Sequence, residues 1–192
     1  MELQHVNAKL LVSDPHSVDL GPLIPVFHRW IRGQVCDELL LDIADYRHVP
    51  AGPGIVLIGH QADYSVDNTN NRLGVRYNRK AVFEGTDSDR LKQAASAVLQ
   101  ACRRLETEAA LQGMIRFNGQ DVELFINDRL LAPNREETRQ RLDREFKDFF
   151  DTLFQGSDYT IKYDTDPRHL LGVSVQASKP FTVADLIRNI AP

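Results

Sequence analysis

Only two cysteines, Cys36 and Cys102, occur in 192 residues, and they form no CxxC pair. This excludes a disulfide scaffold and a zinc knuckle and fits a reducing compartment. Long apolar runs are also missing. The purest, Ile55-Val56-Leu57-Ile58, has four residues, whereas a helical span needs about 20. The opening residues, Met1-Glu2-Leu3-Gln4-His5, lead no basic stretch into an apolar one. No secretory signal is expected, and the chain is read as cytoplasmic and clear of the membrane. Glycine (11) and proline (9) are too few for a collagen-like or low-complexity chain. Several catalytic templates are absent: GxxxxGK[ST], GxSxG and HExxH do not occur. Gly52-Pro53-Gly54 with Gly59 precedes a strand instead of opening a helix, the wrong context for a dinucleotide loop.

What is present is an ordinary apolar content, 42% of residues, beside 26% charged ones. That suffices for one core, and no Ser/Gly-rich or Pro-rich linker interrupts the chain, so residues 1–192 read as a single α+β domain. Val6, Ala8, Leu10 and Val12 alternate with Asn7, Lys9 and Leu11 as a half-buried strand does. Leu20, Leu23, Ile24, Phe27, Trp30 and Ile31 recur at helical spacing up to Gly33. Residues 38–44, 55–60 and 72–83 read as strands. Thr86, Asp87 and Ser88 offer caps for a helix whose stripe is Leu91, Ala95, Val98, Cys102 and Leu105.

Asn118-Gly119 after Ile115 and Phe117 is a strong hairpin signal. Asn134 with Glu137 resembles a capping box for a further helix carrying Leu142, Phe146, Phe149, Phe150 and Leu153, closed at Gly156. Phe154 falls off that stripe, which suggests contact with a partner subunit and admits a homodimer. Residues 159–163 and 171–175 form a last hairpin before a terminal helix at 182–190. The expected fold is α+β, a mostly antiparallel sheet with helices packed on one face. Helix starts near 87 and 135, with hairpins near 114 and 159, suggest repeated helix-hairpin units.

Two features carry candidate chemistry. The first is charge: residues 72–104 hold eight basic and three acidic side chains, in a chain whose formal net charge is −4. Arg76 and Lys80 share a strand face with Asn78, opposite Val75, Tyr77 and Arg79, so a cationic stripe that grips carboxylate or phosphate is expected. A pI of about 5.9 and the lack of basic runs with interleaved aromatics argue against nucleic acid. The second is polar density on both sides of the 55–58 strand: Asp45 and His48 before it, His60, Asp63 and Tyr64 after it. His48, His60 and Asp63 have the donor types of a divalent-metal site, and the two imidazoles equally suit acid-base work near pH 7.

The competing reading makes these segments polar loops, with Asp63 and Asp67 as turn or cap residues. Cys36, beside Asp37 and Glu38, should have a raised thiol pKa, and Cys102 should be core. Two functions follow. One is a non-enzymatic binding or assembly domain for a small anionic ligand or a protein partner, through Asp45, His48, His60, Asp63, Tyr64, Arg76 and Arg79. The other is a metal-dependent or acid-base enzyme using His48, His60 and Asp63 on a small anionic substrate.

Overall fold

A computed structural model describes residues 2–191. Its strands are β1 (Val6–Val12), β2 (Leu40–Tyr46), β3 (Gly54–Gly59), β4 (Ala62–Asp67), β5 (Gly74–Arg79), β6 (Phe117–Ile126), β7 (Tyr159–Tyr163) and β8 (Leu171–Ala177). Its α-helices are α1 (Leu23–Gly33), α2 (Asp87–Thr107), α3 (Glu136–Leu153) and α4 (Val183–Ile190). All eight strands join one antiparallel sheet in the order β2-β3-β4-β5-β1-β6-β8-β7. None of the helices is long and apolar enough to cross a membrane.

The apolar half of β1 packs as its sequence implies, but the strand is not half-buried: Asn7 and Lys9 on its other face are buried too. Val6, Ala8, Leu10 and Val12 enter one core with Leu91, Ala95, Val98 and Cys102 of α2, and α2 lies over β1 and β5. α1 covers β2 and β3, and α4 packs on β6 and against α2 and α3. α1 starts just after Pro22 and tolerates Pro25 in its first turn, where no intrahelical donor is lost. α2 and α4 each open on a capping box: Thr86 with Asp89, and Thr182 with Asp185. Each cap is worth about 1 kcal/mol.

Three sequence expectations are revised. Asn118-Gly119 makes no turn; both residues lie inside the single strand β6, which pairs with β1 on one side and β8 on the other. Gly119 answers a different need, because a Cβ there would sit 2.1 Å from the Phe181 carbonyl oxygen. The residue allows close backbone approach, not reversal. Without a hairpin near 114 the repeated helix-hairpin unit does not form. The strand order instead shows another regularity. The chain runs β1-α1-β4-β5-α2, with the β2–β3 hairpin intervening, then β6-α3-β7-β8-α4. In the sheet this reads β4-β5-β1 followed by β6-β8-β7, a palindrome about the β1–β6 pair.

Second, Asn134 does not cap α3. The N-cap is Arg135, and the Asn134 amide donates to the Asp166 carbonyl 2.9 Å away. Third, Phe154 is not free for a partner subunit. It is fully buried within the chain, with its ring stacked on Phe150 at 6.0 Å and tilted against Phe181 at 5.5 Å. Gly156 does end the helix region, at φ +66°, and its N–H donates to the Asp151 carbonyl.

Candidate binding face

The segment 60–68, read from sequence as a polar loop, contains β4, which pairs with β3 and β5. Its apolar set, Ala62, Tyr64 and Val66, is buried, so Asp63, Ser65 and Asp67 project to the sheet's other face. Register brings the polar residues of neighbouring strands into line. One row runs Ser65, Arg76, Lys9, Glu123, Ser174, Lys162 across β4, β5, β1, β6, β8 and β7. The next row runs Asp63, Asn78, Asn7, Phe125. Six adjacent strands therefore present hydrophilic side chains on the face turned away from α2.

Much of this polar layer is nonetheless buried: Lys9 is 1% exposed, Asp67 3%, Glu123 5% and Asn7 0%. Buried charges need partners, and three pairs form. Lys9 Nζ lies 2.5 Å from Asp67 Oδ1, Arg72 Nε 2.6 Å from Glu123 Oε1, and Lys80 Nζ 2.6 Å from Asp63 Oδ1. Asp67 also accepts from the Thr69 hydroxyl at 2.8 Å. Desolvation pulls the Lys9 ammonium below its usual pKa, against the raising influence of Asp67 and Glu123.

Apart from Lys162, which is exposed on the edge strand β7, Arg76 is the cation of this face left over. Among the described residues no ion pair involves it, while Lys9, Arg72 and Lys80 take the three carboxylates. Its guanidinium carbon sits 4.8 Å from the Phe125 ring centroid, a cation–π contact that holds the group flat without neutralising it. Burial lowers its pKa; Asp67 and Glu123 act in the opposite direction from beyond ion-pair distance. Next to it, both amide atoms of Asn7 and the amide oxygen of Asn78 are buried with no hydrogen-bond partner. Such orphans are rare and call for a cause. Asp63, Ser65, Asp67, Arg76, Asn78 and Asn127 line a cavity of about 280 Å³ on this face.

The sequence-derived candidates do not all converge. Asp63 and Arg76 belong to the open face, on the adjacent strands β4 and β5, and line the same cavity. Tyr64 and Arg79 belong to the helix side, where they meet Glu38, a residue the sequence reading did not single out. Glu38 is 4% exposed. It accepts from the hydroxyls of Tyr64 and Tyr77, both at 2.7 Å, with Arg79 Nη1 3.9 Å from Oε1. The Gln93 amide donates to the Tyr77 hydroxyl at 2.9 Å. Burial, and the Glu38 carboxylate beside them, push both phenols above the usual tyrosine range, so they remain hydroxyl donors.

Asp45 and His48 flank the β2–β3 turn, and there Arg47 grips Asp45 through Nε at 2.9 Å and Nη2 at 2.7 Å. These bonds hold the Asp45 carboxyl down at about 2. His60 follows the far end of β3. Six strand residues separate the two imidazoles by about 20 Å at 3.3 Å per residue, so His48 and His60 are not brought together. Among the described residues no group of three or more His, Cys, Asp and Glu side chains is placed to hold a metal ion. Asp63, the third residue of the expected metal set, is engaged by Lys80 and by the Gly59 N–H.

Of the residues the sequence missed, Asn7, Lys9, Asp67 and Glu123 carried one readable signal, the alternation of polar residues within apolar strands, whereas Glu38 lies in the bend before β2 and carried none. Comparison with models of protein families, with curated proteins and with solved structures finds no match to this chain.

Proposed function

We propose that the chain is a binding domain that holds a small anionic ligand on the open face of its sheet, anchored at Arg76. The observation that carries this reading is charge bookkeeping at close range: three carboxylates there are matched by Lys9, Arg72 and Lys80, and Arg76 remains without one. A guanidinium presents a planar fork suited to carboxylate or phosphate, and the Phe125 ring fixes its plane. The cavity beside it, about 280 Å³, is at the small end of ligand pockets. Asn78 and Asn127 supply neutral donors and acceptors, while Asp63 and Asp67 accept from ligand hydroxyls. A hydroxylated monoanion fits better than a bare dianion, because Arg76 alone has no carboxylate to neutralise and a second negative charge would find no cation in the cavity.

The test is calorimetric titration of the purified chain with inorganic phosphate, gluconate and succinate, in parallel with Arg76→Gln. Saturable binding of at least one anion, weakened about tenfold or more by the substitution and by raised salt, is expected. Binding by none of them, or binding indifferent to Arg76→Gln, would remove the anchor and with it this reading. Substituting His48 or His60 with alanine should leave the titrations unchanged.

A further inference from the structure

On the helix side, α2 and the segment after α1 enclose a cavity of about 340 Å³, whose lining includes Cys36, Asp37, Tyr64, Gln93, Gln100 and Arg104. A second hollow of about 300 Å³, near Trp30 and Glu108, adjoins it through shared Val35 and Arg104. The wall is rigid where it matters. Tyr64 is 3% exposed and pinned by its 2.7 Å bond to Glu38, and Gln93 is fixed by its bond to Tyr77.

Two charged groups line this space without ion-pair partners among the described residues. Arg104 takes no carboxylate and Asp37 takes no cation, although the neighbouring Arg29 and Glu108 pair with each other at 2.7 Å. Both border the same space, beside the Cys36 thiol. They are not bonded to one another. The other polar groups of the lining, Gln93, Gln100 and the hydroxyl of Ser96, are neutral.

We infer that this cavity is a second ligand site, for a zwitterion of the α-amino acid class, with the ligand carboxylate at Arg104 and its ammonium at Asp37. A lone guanidinium would take any anion and a lone carboxylate any amine; the two on one cavity select a molecule carrying both charges. The volume suits one amino acid. The neutral amides favour an uncharged polar side chain, since a third charge would find no counter-charge. Cys36 adds no charge of its own, being held as the protonated thiol. The site is separate from the open face and does not depend on Arg76.

The experiment is a thermal-shift screen of the intact chain against single L-amino acids, followed by calorimetry on any that stabilise it. The same titrations are run on Asp37→Asn, Arg104→Gln and Arg76→Gln. Asp37 and Arg104 are exposed, so neither change disturbs the core, and an unchanged circular dichroism melt is the control for an intact fold. Saturable binding of a polar amino acid is expected. It should weaken about tenfold or more in each of Asp37→Asn and Arg104→Gln and stay unchanged in Arg76→Gln. The matching deaminated acid and decarboxylated amine should each bind about tenfold or more weakly than the zwitterion. The inference fails if no amino acid binds saturably, if binding survives both substitutions, or if the deaminated acid binds as well as the zwitterion. Loss of binding in Arg76→Gln alone would transfer the site to the open face and overturn it equally.

Discussion

Asp67 and Glu38 are both buried carboxylates, on opposite sides of the same sheet, and they are stabilised by different means. Asp67 faces Lys9 directly, charge against charge, with side chains 4% and 2% exposed. Glu38 is solvated by two phenol hydroxyls, and its nearest cation, Arg79, stands 3.9 Å away. The open face thus balances charge pair by pair, which makes the unpaired Arg76 conspicuous. The helix side stabilises a charge with neutral dipoles and leaves its own unpaired charges, Asp37 and Arg104, at a cavity rim. A protein can bury a carboxylate either way. The two ways differ in what a single deletion leaves behind.

The largest effect should therefore come from Lys9. Lys9→Met strands Asp67 in the interior and should cost about 3–5 kcal/mol in urea or thermal unfolding, while the double variant Lys9→Met/Asp67→Leu should regain most of it. A double variant no better than the single one would mean that the pair is not the main interaction at this point. Tyr64→Phe and Tyr77→Phe each remove one of two phenol donors, so the carboxylate stays half-solvated, and about 1–3 kcal/mol is expected for each. Were either as damaging as Lys9→Met, the contrast between ion pair and dipoles would collapse.

A smaller effect concerns Cys36, whose thiol burial pushes up to about 11 from an ordinary 9.0. A raised thiol pKa contributes stability that is fully present below pH 9 and disappears as pH climbs through about 11. Iodoacetamide should accordingly alkylate Cys36 slowly at pH 8, with a rate that rises toward pH 11; a fast reaction with a midpoint near 9 would contradict the burial. The smallest effects lie on the surface. The carboxyls of Asp45 and Asp166, each gripped by an arginine two residues on, should titrate by NMR at about 2. Arg47→Ala should return Asp45 toward 3.8 with little change in overall stability.

The helix side was legible in the sequence because its signals are apolar and periodic. Val6 to Val12, the α2 stripe and the Phe-rich face of α3 all pack as their spacing implies. The open face was legible only in part. Arg76 and Asn78 were correctly placed on one strand face opposite Tyr77 and Arg79, but Asn7 and Lys9 looked like ordinary solvent-facing alternates. Nothing local says that the other side of a strand will also be buried; that depends on which residues from β5 and β6 come to lie beside it. β4 was hidden for a related reason, since Asp63, Ser65 and Asp67 give the strand the composition of a loop. Asn118-Gly119 misled because a tertiary contact, the backbone at Phe181, set the need for glycine there. His48 and His60, twelve positions apart in sequence, are held apart by the extended strand between them.

The palindrome of the sheet also sets an order of assembly. β1, the middle of the sheet, comes before all its partners in the chain; it pairs with residues 74–78 of β5 and then with residues 117–126 of β6. During synthesis its apolar backbone must wait for some hundred residues to follow before both flanks are covered, a long-range closure of the kind that slows folding and exposes an edge meanwhile. Lys9 sits at the centre of that waiting strand, and a lysine on an uncovered edge disfavours pairing with a neighbouring copy. The lysine that ends as half of a buried ion pair would thus serve first to keep the nascent strand from aggregating.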